Sequence, residues 1–186
     1  TIDLLPTCLE AAGATPPDYL PGRSILPLLT RGGRPWRDTL CAEWTTHGPM
    51  NYFPRRSICD DRYKLIVNLL AEDRPNGTCS VDGCPAYRVA ISRDDTDPVV
   101  RRMYERYRDA PVHELFDLKT DPAERVNRAD DPELQDVKAR LLAKLQAWQE
   151  QTRDPLRTEE GLQELTRFQD RTVREIRERM QQMKEQ

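Results

Sequence analysis

Between Asp131 and Trp148 the chain carries one uninterrupted apolar stripe. Leu134, Val137, Leu141, Leu142, Leu145 and Trp148 fall at i, i+3, i+7, i+8, i+11 and i+14, a spacing that lines one face of an α-helix. Asp131 followed by Pro132 marks its start. An aspartate can cap a free amide, and proline's missing N–H costs nothing at the first helical position. An apolar stripe must be buried against something, and the segments available to cover it are short and roughly alternating. TLCAEWTT, RRSICDDRYKLIVNLL and VHELFDL read as strands, with Asp60-Asp61 as a hairpin turn and Lys119 to Pro122 closing the last. The expected fold is therefore α+β: a small antiparallel sheet of about four strands packed on one long C-terminal helix.

The two ends differ from this centre. IDLLPTCLEAAG spaces Ile2, Leu4, Leu5, Cys8, Leu9 and Ala12 as a helix, with Pro6 in its first turn and Gly13 as a stop. No basic stretch precedes these apolar residues, as a secretion signal would require. A chain that opens directly on such a helix is expected to be cut from something larger. TPPDYLPGRSILPLLTRGGRPWRD is punctuated by Pro and Gly and reads as loop, as does RPNGTCSVDGCP, while DTDPVVRRMYERYRD predicts a short helix from Pro98. After RDPLR a thinner stripe follows: Leu162, Leu165, Phe168, Ile176, Met180 and Met183. It is either a solvated surface helix or one that docks on a partner or second subunit. Three regions result: a junction helix and loop at 1–38, an α+β subdomain at 39–157, and a charged helical extension at 158–186.

Composition narrows the function classes. Charged residues make up 33% of the chain, above the roughly 25% usual in globular domains, so much of it must be solvated helix and loop. Acidic and basic residues nearly cancel, 32 against 29, and no element shows the basic excess of a nucleic-acid binder. No apolar run approaches the ~20 residues needed to span a bilayer; the compartment is left open. Cys79 and Cys84 lie close enough for a small-loop disulfide or can remain two thiols. No second CxxC or HxxxH element accompanies them, which argues against zinc.

Several segments, in order, resemble the C-terminal portion of sulfatases of the alkaline phosphatase superfamily. IDLLPTCLEAAG followed by PGRSILPLL resembles their junction into the C-terminal subdomain. RYKLIVNLL and HELFDLKTDPAERVNRADDPEL resemble a strand and a turn that precede the terminal helix. PMNYFPRRSICDDRYKLIVNLL and LQAWQEQTRDPL are most similar to the sulfamidase branch, the heparan N-sulfatases (N-sulfoglucosamine sulfohydrolases). The resemblance covers roughly residues 1 to 157.

That resemblance implies a division of labour. Sulfate-ester or sulfamate hydrolysis needs a strong nucleophile and a divalent cation. In the family these are a formylglycine and a calcium held by aspartates, all in the large catalytic domain upstream. This chain would then hold no catalytic residue, metal site or cofactor. Its partners would be the catalytic domain and, in the intact enzyme, a sulfated sugar; nucleic acid and membrane are not expected. TTHGPMNYFPRR lies in the loop that approaches the pocket mouth in the sulfamidase-like branch, which makes His47 and Arg56 substrate-contact candidates and Glu43 a weaker third. An imidazole and a guanidinium fork suit sulfate or carboxylate oxygens. Otherwise His47 is a surface loop residue and Arg56 a strand arginine paired with Asp60 or Asp61. His113 needs no role beyond its strand position. Two other functions remain open: part of a related phosphate or phosphonate ester hydrolase, or an interaction module working through 158–186.

CPAYR, from Cys84 to Arg88, matches the C-x-[PA]-x-R pattern that marks the sulfatase nucleophile. In the family that cysteine opens a helix and precedes the C-terminal segments. Here YRVAISRDD reads as extended, lacks the glycine that follows in the family, and comes after RYKLIVN. Cys84 is accordingly expected to be half of a loop pair with Cys79.

Overall fold

A computed structural model describes residues 2–31, 36–48, 51–76, 85–92 and 97–185. The chain divides into two compact units, Thr1–Asp38 and Thr39–Gln186.

In the first unit, α1 spans Leu4–Ala11 and a six-residue helix, α2, spans Leu26–Arg31. The Pro- and Gly-rich stretch was expected to be loop throughout, but Ser24 Oγ accepts from Leu26 N at 3.1 Å and opens this short turn of helix. Asp3 ties the unit together. Its carboxylate accepts Arg23 N at 2.8 Å and both Arg37 Nη atoms at 2.7 Å, a bidentate pair.

The second unit contains β1 (Leu40–Thr46), β2 (Tyr52–Cys59), β3 (Tyr63–Asn68), α3 (Pro85–Ser92), α4 (Pro98–Arg108), β4 (His113–Asp117), α5 (Gln135–Gln151) and α6 (Glu159–Glu185). The strands form one four-stranded antiparallel sheet in sequence order, β1-β2-β3-β4, the expected α+β arrangement. Asp60 makes the β2–β3 turn, as its Oδ1 accepts Arg62 N at 2.9 Å and Tyr63 N at 2.7 Å. Asp131 and Pro132 start a single 3₁₀ turn that runs into α5, and Asp131 Oδ1 accepts Glu133 N at 2.9 Å.

Register fixes which residues share a face. Cys41, Ile58, Leu65 and Leu115 lie in one row across the sheet and pack against Leu134, Leu141 and Leu145 of the stripe, with Val137, Leu142 and Trp148 at its margin. Successive strand residues point to opposite sides, so Trp44, Arg55, Asn68 and Glu114 belong to the other face. There α4 covers the β4 end: Arg106 pairs with Glu114 at 3.2 Å and its guanidinium lies 5.0 Å from the Phe116 ring centroid. A second apolar cluster of Tyr52, Phe53, Leu70, Ala110 and Leu162 seats the start of α6, with Leu165 beside it. Tyr52 Oη and Thr166 Oγ1 are 3.1 Å apart, and Arg74 grips Asp170 at 2.9 and 3.1 Å. Beyond these contacts Met180 and Met183 are exposed.

One local expectation is corrected. The stretch after Cys84 is helical, not extended: α3 starts at Pro85, and Tyr87 meets Tyr104 of α4 edge to face with centroids 5.3 Å apart. Val89 and Ile91 gave the segment a strand-like look that helix pairing overrides. Cys79 and Cys84 themselves lie outside the described residues. In the turn after β4, Asn127 satisfies two amides: its Oδ1 accepts Leu115 N at 2.9 Å and Ala129 N at 3.0 Å. The Glu124 carboxylate holds Lys64 Nζ at 2.8 Å, from a backbone at φ 54°.

Candidate functional site

The β1–β2 hairpin carries all three residues singled out in the sequence, and the sheet splits them. Glu43 and Arg56 are cross-strand partners on the α5 side, with Glu43 Oε2 3.6 Å from Arg56 Nη2. The Glu43 side chain is 62% exposed and that of Arg56 only 2%. His47, in the hairpin loop, is exposed and stacks on Trp44, with ring centroids 5.9 Å apart and planes 17° from parallel.

Arg56 does not pair with Asp60 or Asp61. Asp60 is occupied by its own turn and by Arg140 at 2.7 Å. Arg56 reaches across the α5 face to Asp154, donating from Nε to Oδ2 at 2.7 Å and from Nη2 to Oδ1 at 2.9 Å. Gln149 Nε2 and Leu156 N complete the Asp154 shell at 3.0 and 3.1 Å. The remaining nitrogen, Nη1, donates to the Arg55 carbonyl at 3.0 Å, the Trp44 carbonyl at 3.3 Å and Thr45 Oγ1 at 3.4 Å. One guanidinium thus ties the chain after α5 to the backbone of β1. Burial alone would raise the Asp154 carboxyl, but the donors from Arg56, Gln149 and Leu156 outweigh it and hold it down to about 2. The accepting Asp154 and the Gln149 that donates to it both come from AWQEQTRDP. Asp154 also caps the 3₁₀ turn at Pro155–Arg157, and its partner Arg56 lies 98 residues away.

His113 fills its position in β4, where burial lowers its pKa. Among the described residues no three His, Cys, Asp or Glu side chains converge in a way that could hold a metal ion. No described helix is long and apolar enough to cross a membrane.

No family model matches the chain. An ulvan-active sulfatase from Formosa agariphila is 29% identical over 148 residues, 78% of this chain but 28% of that protein. Among solved structures, a protein of Bacteroides thetaiotaomicron assigned as a sulfatase superposes with a TM-score of 0.58 at 25% identity, covering 83% of this chain and 25% of its own. A 2-O GAG sulfatase gives 0.57 at 26% identity, again over 83% of this chain and 25% of its own. A third structure, solved with its substrate D-glucosamine-2-N,6-O-disulfate, shares the fold at 22% identity, with a TM-score of 0.54, over 82% of this chain and 24% of its own. By sequence and fold the chain is similar to part of several sulfatases. It spans about a quarter of the length of the relatives it resembles.

Proposed function

We propose that this chain is the C-terminal subdomain of a sulfated-sugar hydrolase of the sulfamidase-like branch, bracing an upstream catalytic domain and shaping its substrate pocket. The observation that carries this reading is the partial match: most of this chain aligns with only 28% of a sulfatase. Relatives named for activity on ulvan and on GAG support a sulfated-sugar substrate. The nucleophile, a formylglycine, and the calcium belong to the catalytic domain, and the chain alone is inert. Within the pocket wall we assign His47 and Glu43, both open to a ligand, to contact with the sugar. Arg56 acts by holding their hairpin in place, since each of its nitrogens is already committed within the protein.

Sequencing the coding DNA immediately upstream of the Thr1 codon tests the reading. A continuous frame carrying C/S-x-[PA]-x-R and aspartate pairs is expected; a frame that opens at Thr1 refutes it. Inertness is tested on the purified 186-residue chain, with an aryl sulfate and N-sulfoglucosamine in calcium buffer. Turnover that is lost in Cys84→Ala would overturn it.

A further inference from the structure

We propose that Trp44, Arg55 and His47 form a subsite for an anionic sugar residue on the sheet face opposite α5. The proposal takes its ligand class from the sulfatase reading and adds to it a surface and three roles. Trp44 and Arg55 are direct cross-strand partners, so their Cβ atoms lie about 5 Å apart on one face. The indole is 42% exposed on an edge strand, an unusual place to leave the largest aromatic side chain. His47 lies against it, which orients the indole without covering it. Below, Arg56 holds the Trp44 carbonyl from the opposite face, so the platform is backed by a buried ion pair.

Arg55 supplies the charge. Its guanidinium packs 5.4 Å from the Phe53 ring centroid, and its buried Nε has no hydrogen-bond partner. Glu114, the carboxylate whose field acts on it, is engaged by Arg106 and Asn68. Burial works against the cation, so a second anion at this spot would be favoured. A sugar's C–H groups suit the negative π face of an indole, and a sulfate or carboxylate suits a guanidinium fork. Trp44 would stack the ring, Arg55 would take the anion, and His47 would border the ring. The β4 end of the same face is closed by α4, and the Phe53 end of β2 is covered where α6 begins, which leaves Trp44 and the β1 edge beside Arg55 as the open part.

The chain has three tryptophans, Trp36, Trp44 and Trp148, hence three indole cross-peaks in a ¹H–¹⁵N spectrum; Trp44→Phe assigns one. Titration with a heparin-derived hexasaccharide is expected to shift the Trp44 peak saturably and leave the Trp148 peak in place. The fully desulfated hexasaccharide is expected to do neither. Trp44→Ala and Arg55→Gln should each weaken binding about tenfold or more, the loss of one stacking or charge-assisted contact. Arg179→Gln, on the distal part of α6, should change nothing. Should Arg55→Gln disturb folding, Arg55→Lys serves instead and retains binding. A stationary Trp44 peak, equal shifts with the desulfated sugar, or unchanged affinity in Trp44→Ala overturns the subsite. A catalytic frame upstream with no Trp44 response removes the subsite alone; a Trp44 response without such a frame removes the sulfatase reading alone.

Discussion

Replacing Asp154 by Asn keeps the shape of the side chain and removes its charge. In the native unit the Asp154 carboxylate accepts four hydrogen bonds, two of them from Arg56, and both side chains are 2% exposed. An amide has one acceptor oxygen and turns its NH₂ toward a donor, so the substitution leaves the buried guanidinium with only the exposed Glu43 carboxylate, 3.6 Å away, as counter-charge. Breaking one side of a buried pair costs about 3–5 kcal/mol, because the surviving charge stays desolvated. For a chain of this size that lowers Tm by roughly 6–20 °C. Urea unfolding followed by far-UV circular dichroism measures the loss directly. Replacing both residues, Arg56→Met with Asp154→Leu, should recover much of it, since no charge then remains buried. The pH dependence gives an independent sign. The folded carboxyl titrates at about 2 against an ordinary 3.8, so its contribution is complete above pH ~5 and disappears as the pH falls toward 2. Asp117, held down to about 2 by Arg62, adds a similar acid limb, and the difference between native protein and Asp154→Asn isolates the first. A loss below about 1 kcal/mol, or an acid limb identical in the two proteins, would refute the argument that this pair fastens the hairpin.

Gly161→Ala should destabilise the second unit by about 1–3 kcal/mol, although alanine is the better helix former, because overpacking here involves backbone. A Cβ would lie 2.0 Å from the Pro155 carbonyl oxygen, and chemical denaturation checks the cost. Leu145→Ala, at 1% exposure in the α5 core, should cost about 2–5 kcal/mol in the same assay. Asn127→Ala strands the amides of Leu115 and Ala129 and is expected to cost about 2–3 kcal/mol, with faster hydrogen exchange at Leu115 as its local signature.

The sheet and α5 were legible because each is written in one local code: alternation with an Asp-Asp turn, and a stripe behind an Asp-Pro cap. α3 was not, since its β-branched residues favour a strand until α4 offers Tyr104 to pack against. His47, Arg56 and Glu43 all read as substrate-contact candidates, but burial, which no local pattern announces, closes off Arg56 and leaves Glu43 and His47 open. Arg56 was matched to the acids nearest in sequence, Asp60 and Asp61, because nothing local announces a partner 98 residues on. Trp44 and Arg55 escaped notice for the same reason. Their adjacency exists only in cross-strand register.

The position of β1 has a practical corollary. As the first strand of the sheet it pairs only with β2 among the described residues, and LCAEWTT contains neither lysine nor proline to discourage another strand from adding to it. Leu40, Ala42 and Trp44 are exposed along it. A chain made on its own would offer this edge to a neighbouring strand, a route to edge-to-edge association as concentration rises. A lysine at Ala42, which touches neither apolar cluster, is the protective change to build in before crystallisation.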